Sequence, residues 1–150
     1  MATSTNLTSL KTLAKSILNK LENNKYIVFN PRDRGELQEQ LFNRLHKIIL
    51  TDEDLSNQVR AHIAKVSDAI TEQNITETDA FQSQKRALKA RLGEHEVHGF
   101  YLQRTLRDVV SDVGKFLFDS EFVEDVFESD DAIHKLVMET IQNFDESKLS

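Results

Sequence analysis

Apolar residues recur in nearly the same pattern in two stretches of the chain, residues 10–48 and 106–144, at a constant offset of 96 positions. Of the 15 apolar positions in the first stretch, 12 coincide with apolar positions in the second. Each stretch shows helical spacing, a short apolar elbow, and then helical spacing again. Self-similarity of this kind predicts two pseudo-repeated helix-elbow-helix units.

The elbows, residues 26–29 and 122–127, are short and rich in β-prone residues. In the first unit, the spacing predicts one helix from residue 8 or 9 to residue 22 and a second helix that ends near residue 50, with Ile48 and Ile49 on its apolar face. The two elbows are predicted to pair as a small two-stranded ribbon. A ribbon of two strands needs helices beneath it to be stable.

A helical hairpin, residues 51–93, is predicted to bridge the two units. Thr51 begins it as a helix cap, because its hydroxyl can accept a backbone hydrogen bond and three acids follow it. The apolar residues of this first helix form a narrow stripe, here called the seam: Leu55, Val59, Ile63, Val66 and Ile70. Such a stripe indicates either a surface through which the chain associates with a partner helix or an ordinary edge helix.

The region after the hairpin is the most apolar part of the chain. From Val97 to Phe118 the pattern predicts one deeply buried helix, in which Gly114 allows a neighbouring helix to approach closely. A last helix is capped by Ser129 and extends to Phe144. Together with only 4 Gly and 1 Pro, these patterns predict a mainly α-helical bundle of about six helices in a single domain, residues 1–150.

Composition and charge narrow the functional classes. The chain has no Cys, which excludes disulfides and thiolate chemistry and favours a cytoplasmic location. No apolar run is long enough to span a membrane. Of the net charge of −6, residues 108–150 carry −9 (12 acids and 3 Lys) and residues 1–107 carry +3. The acidic half is interpreted as either a solvated face or a docking site for a basic partner.

No catalytic motif is present. The four glycines are too scattered to build a phosphate-binding loop, and no nucleophile elbow occurs. The nearest approach to a site is Glu94, His95 and His98, which would place two imidazoles three residues apart on a helix, whereas the HExxH zinc motif needs a spacing of four. These residues are weak metal candidates. We expect no metal, no cofactor and no enzymatic activity.

One basic cluster, Lys85, Arg86, Lys89 and Arg91, is the surface best suited to contact phosphate groups. A pI of about 5.4 and the lack of interleaved aromatics disfavour nucleic-acid binding. The same cluster could instead dock the acidic half of another copy, which would make the chain a homodimer.

Residues 51–63, from Thr51 through the acidic step to Val59-Arg60-Ala-His-Ile63, resemble a bacterial family of proteins of unknown function, DUF507. The resemblance covers residues 8–70: an N-terminal helix, an apolar and acidic elbow, a second helix and an acidic step into a Val-Arg-x-x-Ile helix. The acidic C-terminal helix departs from the family's aromatic-rich, basic ending. The resemblance implies no catalytic residues.

The function predicted from the sequence is that of a bacterial, non-enzymatic protein-interaction or structural component, with the seam and the basic cluster as its candidate surfaces. The partner is a protein, with a second copy of the chain as one possibility. The alternatives are a nucleic-acid-associated protein that uses the basic helix at residues 85–91 and a metal-binding protein at residues 94–98.

Overall fold

The computed structural model describes residues 5–66 and 76–145. The described residues form six α-helices: α1 (Leu7–Asn23), α2 (Arg34–His46), α3 (Asp52–Lys65), α4 (Glu77–Leu92), α5 (Leu106–Asp119) and α6 (Asp130–Gln142). They also form five short strands: β1 (Ile27–Phe29), β2 (Ile49–Leu50), β3 (Glu96–Val97), β4 (Phe100–Leu102) and β5 (Val123–Val126). The prediction of a mainly helical fold is confirmed.

The main core lies between α1, α2, α5 and α6, which pack as a bundle. α1 contributes most densely, because its apolar residues from Leu10 to Leu21, at three- and four-residue spacing, are fully buried. Polar caps fix where the helices begin. The Asn6 side chain accepts a hydrogen bond from the Ser9 N–H at the start of α1, and equivalent caps precede α5 and α6.

The predicted ribbon between the elbows is confirmed. β1 and β5 pair antiparallel with the register Ile27 to Val126, Val28 to Asp125 and Phe29 to Val123, and the register shifts between Val28 and Phe29. The ribbon joins the end of α1 to the start of α2 and the end of α5 to the start of α6. It therefore closes one end of the bundle, which is here called the ribbon end.

A second sheet, with strand order β2-β4-β3, lies at the other end of the bundle, here called the sheet end. It corrects two predictions. Ile49 belongs to strand β2 and not to the second helix, which ends at His46, and residues 97–102 form a hairpin and not the start of the buried helix, which begins at Leu106. The reason for the second correction is the turn at His98 and Gly99, whose φ angles of 52° and 85° break a helix and favour a two-residue hairpin turn. Ile49 instead pairs with Leu102 of this hairpin, which ends α2 before it.

The two ends are separated by the length of α2. This helix has 13 residues, which corresponds to about 20 Å. Thr5 joins α3 to the turn of the second sheet: its hydroxyl donates to the Gly99 carbonyl at 2.6 Å and accepts from the Asp52 N–H at 2.8 Å. The base of the α3–α4 hairpin is therefore fixed at the sheet end.

The α3–α4 hairpin lies outside the main core. Three residues of the seam, Leu55, Val59 and Ile63, are buried, although they do not belong to the main hydrophobic cluster. Their helix packs against α4, which contains no buried residue of its own. Val66 is half-buried, and Ile70 lies outside the described residues.

None of the described helices is both long enough and apolar enough to cross a membrane. The duplication of the two units and the single domain over residues 1–150 stay predictions.

Candidate protein-docking site

Two of the four residues of the predicted basic cluster form ion pairs within the chain. The Lys85 ammonium lies 2.9 Å from Asp52 Oδ2, and the Lys89 ammonium lies 3.0 Å from Asp52 Oδ1. Because Lys85 and Lys89 follow each other by one helical turn on α4, both can reach this one carboxylate at the start of α3. The inner side of α4 is therefore held to α3 by an ion-pair triad.

The pKa values of Asp52 and Lys89 reflect two opposing effects, the burial of each group and the hydrogen bond between them. Burial alone raises the pKa of Asp52, but the hydrogen bonds from Lys85 and Lys89 outweigh it and leave that pKa below its ordinary value. The hydrogen bond with Asp52 raises the pKa of Lys89, and burial raises the pKa of Tyr101 beside it. Two of the four predicted phosphate-binding cations are thus committed to a structural role.

The other two cations of the basic cluster, Arg86 and Arg91, are exposed on the outer side of α4. Within residues 5–66 and 76–145, neither makes an ion pair. The structure therefore divides the basic cluster into an inner pair bound to Asp52 and an outer pair of arginines that faces solvent.

The weak metal candidates do not share a helical face. Glu94 and His95 lie in a short 3-10 helix (Gly93–His95), whereas His98 lies in the turn between β3 and β4. The His98 ring contacts the Gln142 carbonyl at the end of α6, which gives it a structural role there. In the described part of the chain, no three His, Cys, Asp or Glu side chains are grouped so that they could hold a metal ion.

A surface that the sequence did not single out lies on the outer face of the ribbon. Directly opposed residues of an antiparallel pair point to the same side of the sheet, so Val28 and Asp125 share a face. Phe127 lies two residues further along and its N–H donates to the Tyr26 carbonyl at 2.8 Å, which places it on the same side. The exposed fractions are 58% for Phe127 and 40% for Val28.

Exposed carboxylates flank Phe127 along the chain, and one of them, Asp125, lies opposite Val28. Six are exposed and follow one another along β5 and its flanks: Glu121, Glu124, Asp125, Glu128, Asp130 and Asp131. No side-chain cation of the described residues makes an ion pair with any of them. We call the apolar pair Val28 and Phe127 together with these six acids the ribbon face.

The edges of the ribbon are poorly suited to accept another strand. On the β1 side, Ile27 and Phe29 are buried together with their backbone. On the β5 side, the Val126 N–H already donates to Asp125 Oδ1 at 2.8 Å, and the register shift opposite Val28 and Phe29 interrupts the ladder. Charged residues and irregularities of this kind protect sheet edges. The ribbon face, and not its edges, is therefore the surface available to a partner.

The seam, by contrast, faces inward. Val59 and Ile63 are 4% and 8% exposed, so a partner could reach them only after α4 had moved away. The sequence signal for the ribbon face was the acid excess after residue 107, but periodicity alone gave no indication that pairing would bring Val28 onto the same side as Asp125.

Comparison with known protein families gives a match over nearly the whole chain. A family model described as "Protein of unknown function (DUF507)" matches residues 5–149. The match includes the acidic C-terminal half and so extends well beyond the resemblance noted for residues 8–70. Neither the curated proteins nor the solved structures include a significant match.

Proposed function

The chain belongs to the DUF507 family, and we propose that it is a non-enzymatic interaction protein that binds a basic protein segment through the ribbon face. The proposal depends most on a single observation. The most exposed large apolar side chain in the described residues, Phe127, is flanked in the sequence by exposed acids with which no side-chain cation of the described residues forms an ion pair.

The chemistry of this face defines its partner. A phenyl ring in water can gain about 2 kcal/mol when an apolar group covers it. The surrounding carboxylates repel acidic partners and attract Lys and Arg, which mainly increases association rate and selectivity. A partner segment should therefore have an apolar side chain flanked by cations.

The proposal that the protein is non-enzymatic is supported by the ion-pair triad of Asp52, Lys85 and Lys89. Lys85 and Lys89 each form an ion pair with the Asp52 carboxylate. A group paired in this way stabilises structure and is not free to act as a general base or nucleophile.

The test uses the full chain and a short fluorescein-labelled peptide with a central leucine between flanking arginines. Fluorescence anisotropy should report saturable binding that weakens as salt is raised. A second peptide, with serine in place of the leucine, should bind more weakly because it cannot cover Phe127.

Two variants locate the binding. Glu124→Gln/Glu128→Gln and Phe127→Ser should each reduce affinity by at least about tenfold, which corresponds to about 1.4 kcal/mol. The matched control Glu36→Gln/Glu39→Gln removes the same charge from exposed positions on α2 and should bind as the wild type does. Equal weakening in the control would show that net charge alone attracts the peptide and would overturn the proposal.

A further inference from the structure

We propose that the basic partner of the ribbon face is a second copy of this chain, docked through the outer side of α4. This inference rests on the proposed function and names the partner for the same face. Successive copies would then associate head to tail.

The outer side of α4 has the chemistry that the ribbon face requires. Arg86, Ala87, Ala90 and Arg91 are all exposed and lie within about one and a half helical turns. The two alanines form a flat apolar surface between two guanidinium groups. A protruding ring such as Phe127 can lie against small side chains, while each arginine can meet a carboxylate of the ribbon in bidentate geometry.

The inner triad makes this outer surface available. Lys85 and Lys89 engage Asp52 across the hairpin, which fixes how α4 is rotated about its axis. Residues 86, 87, 90 and 91 are consequently left on the solvent side. The hairpin presents this side without any rearrangement of the fold, and preorganisation of this kind lowers the cost of association.

The two surfaces lie at different places on the chain. Arg91 directly precedes the segment that enters β3 at the sheet end, whereas Phe127 lies at the ribbon end, about 20 Å away along α2. Two ribbon faces would repel each other, because both are acidic. We therefore place the ribbon face of one copy against α4 of the next, and a heterologous contact that repeats in this way forms rings or open chains.

Sedimentation velocity on the full chain at low salt tests this arrangement. Wild type should form species larger than a dimer in a concentration-dependent manner, and these should dissociate at high salt. One variant, Arg86→Gln/Arg91→Gln, lacks the α4 surface, and the other, Glu124→Gln/Phe127→Ser, lacks the ribbon face. Each variant alone should be monomeric.

The mixture of these two variants is the decisive sample. One copy keeps its ribbon face and the other keeps its α4 surface, so only a single contact can form and the mixture should contain a one-to-one dimer that grows no further. A monomeric mixture, or a monomeric wild type at low salt, would overturn the second-copy inference. Peptide binding to the ribbon face would still support the proposed function in that case.

A labelled DNA duplex and a labelled RNA duplex serve as competing probes of the same surface. Neither should bind wild type in a manner that depends on Arg86 and Arg91. If a duplex binds and Arg86→Gln/Arg91→Gln abolishes that binding while wild type stays monomeric, the α4 surface contacts nucleic acid and the inference is overturned.

Discussion

Gly114 of α5 lies directly against the imidazole of His134 on α6: a Cβ added at residue 114 would lie 2.9 Å from His134 Nε2 and 3.3 Å from Cδ2. This contact confirms that Gly114 permits a close helix approach. Alanine in a helix is favoured over glycine by about 1 kcal/mol. In Gly114→Ala, however, the contact with His134 should cancel or reverse that gain.

A double-mutant cycle isolates this effect. In a His134→Ala background the imidazole is absent, so Gly114→Ala should raise the free energy of unfolding in urea by about 1 kcal/mol. The same stability change in both backgrounds would contradict the contact.

The triad of Asp52, Lys85 and Lys89 predicts a pH dependence. Because its pKa is lowered in the folded state, Asp52 contributes stability that is fully present above its ordinary value of 3.8 and is lost as the pH falls through the lowered pKa. Thermal unfolding followed by circular dichroism at about pH 6 and about pH 3 should show this loss in wild type.

Asp52→Asn supplies the control for that titration, since an amide of the same shape cannot ionise. Its stability should be lower than that of wild type at neutral pH, and the difference should shrink in acid. A difference that stays constant with pH would mean that the two lysines do not stabilise the fold through the Asp52 charge.

A charged substitution in the seam should disturb the α3–α4 hairpin. Ile63 is 8% exposed and lies on α3, against which α4 packs, so Ile63→Asp would bury a charge without a partner. The variant should lose protection from hydrogen exchange in α4 first, because α4 has no buried residue of its own. The exposed neighbour His62 provides the control His62→Asp, which should leave α4 protected.

The outcome for Ile63→Asp also distinguishes the two interpretations of the seam. If the variant keeps a protected α4 and loses only self-association, then the seam is an association surface, as one interpretation of its narrow pattern holds. If α4 loses protection in the monomer, the seam is part of the packing within the chain.

The hairpin turn at the sheet end predicts a preference for particular residues at position 98. His98 has a φ of 52°, a conformation that asparagine tolerates and that a β-branched residue resists by about 1–2 kcal/mol. His98→Asn should therefore leave the melting temperature close to that of wild type, whereas His98→Val should lower it. Because both variants remove the contact with Gln142, equal melting temperatures would show that the ring contact matters more than the backbone angle.

Local sequence signals predicted the elements of the bundle, because helix periodicity and capping residues act over a few positions. Thr51 and Ser129 both cap helices as expected. The pairing of the two elbows was also predictable, since each elbow is short and rich in β-prone residues. The second sheet was not, because Phe100-Tyr-Leu102 is apolar at every position and gives no period that distinguishes a strand from a helix.

The candidate surfaces were less predictable than the fold, because they depend on contacts between distant residues. The distance of 33 positions between Asp52 and Lys85 hides their ion pair, so the basic cluster looked uniformly available. At the ribbon, residues that look like ordinary core residues in the sequence, Val28 and Phe127, are in fact exposed. Only the register of β1 and β5 places them on an exposed face.

Whether the ribbon face is the docking surface can be read residue by residue from a ¹H–¹⁵N correlation titration of the labelled full chain with the leucine-containing basic peptide. Progressive shifts should concentrate at residues 26–29 and 121–131 and should disappear in Phe127→Ser. Shifts that concentrate on α4, or that persist unchanged in Phe127→Ser, would show that the peptide binds elsewhere than on the ribbon face.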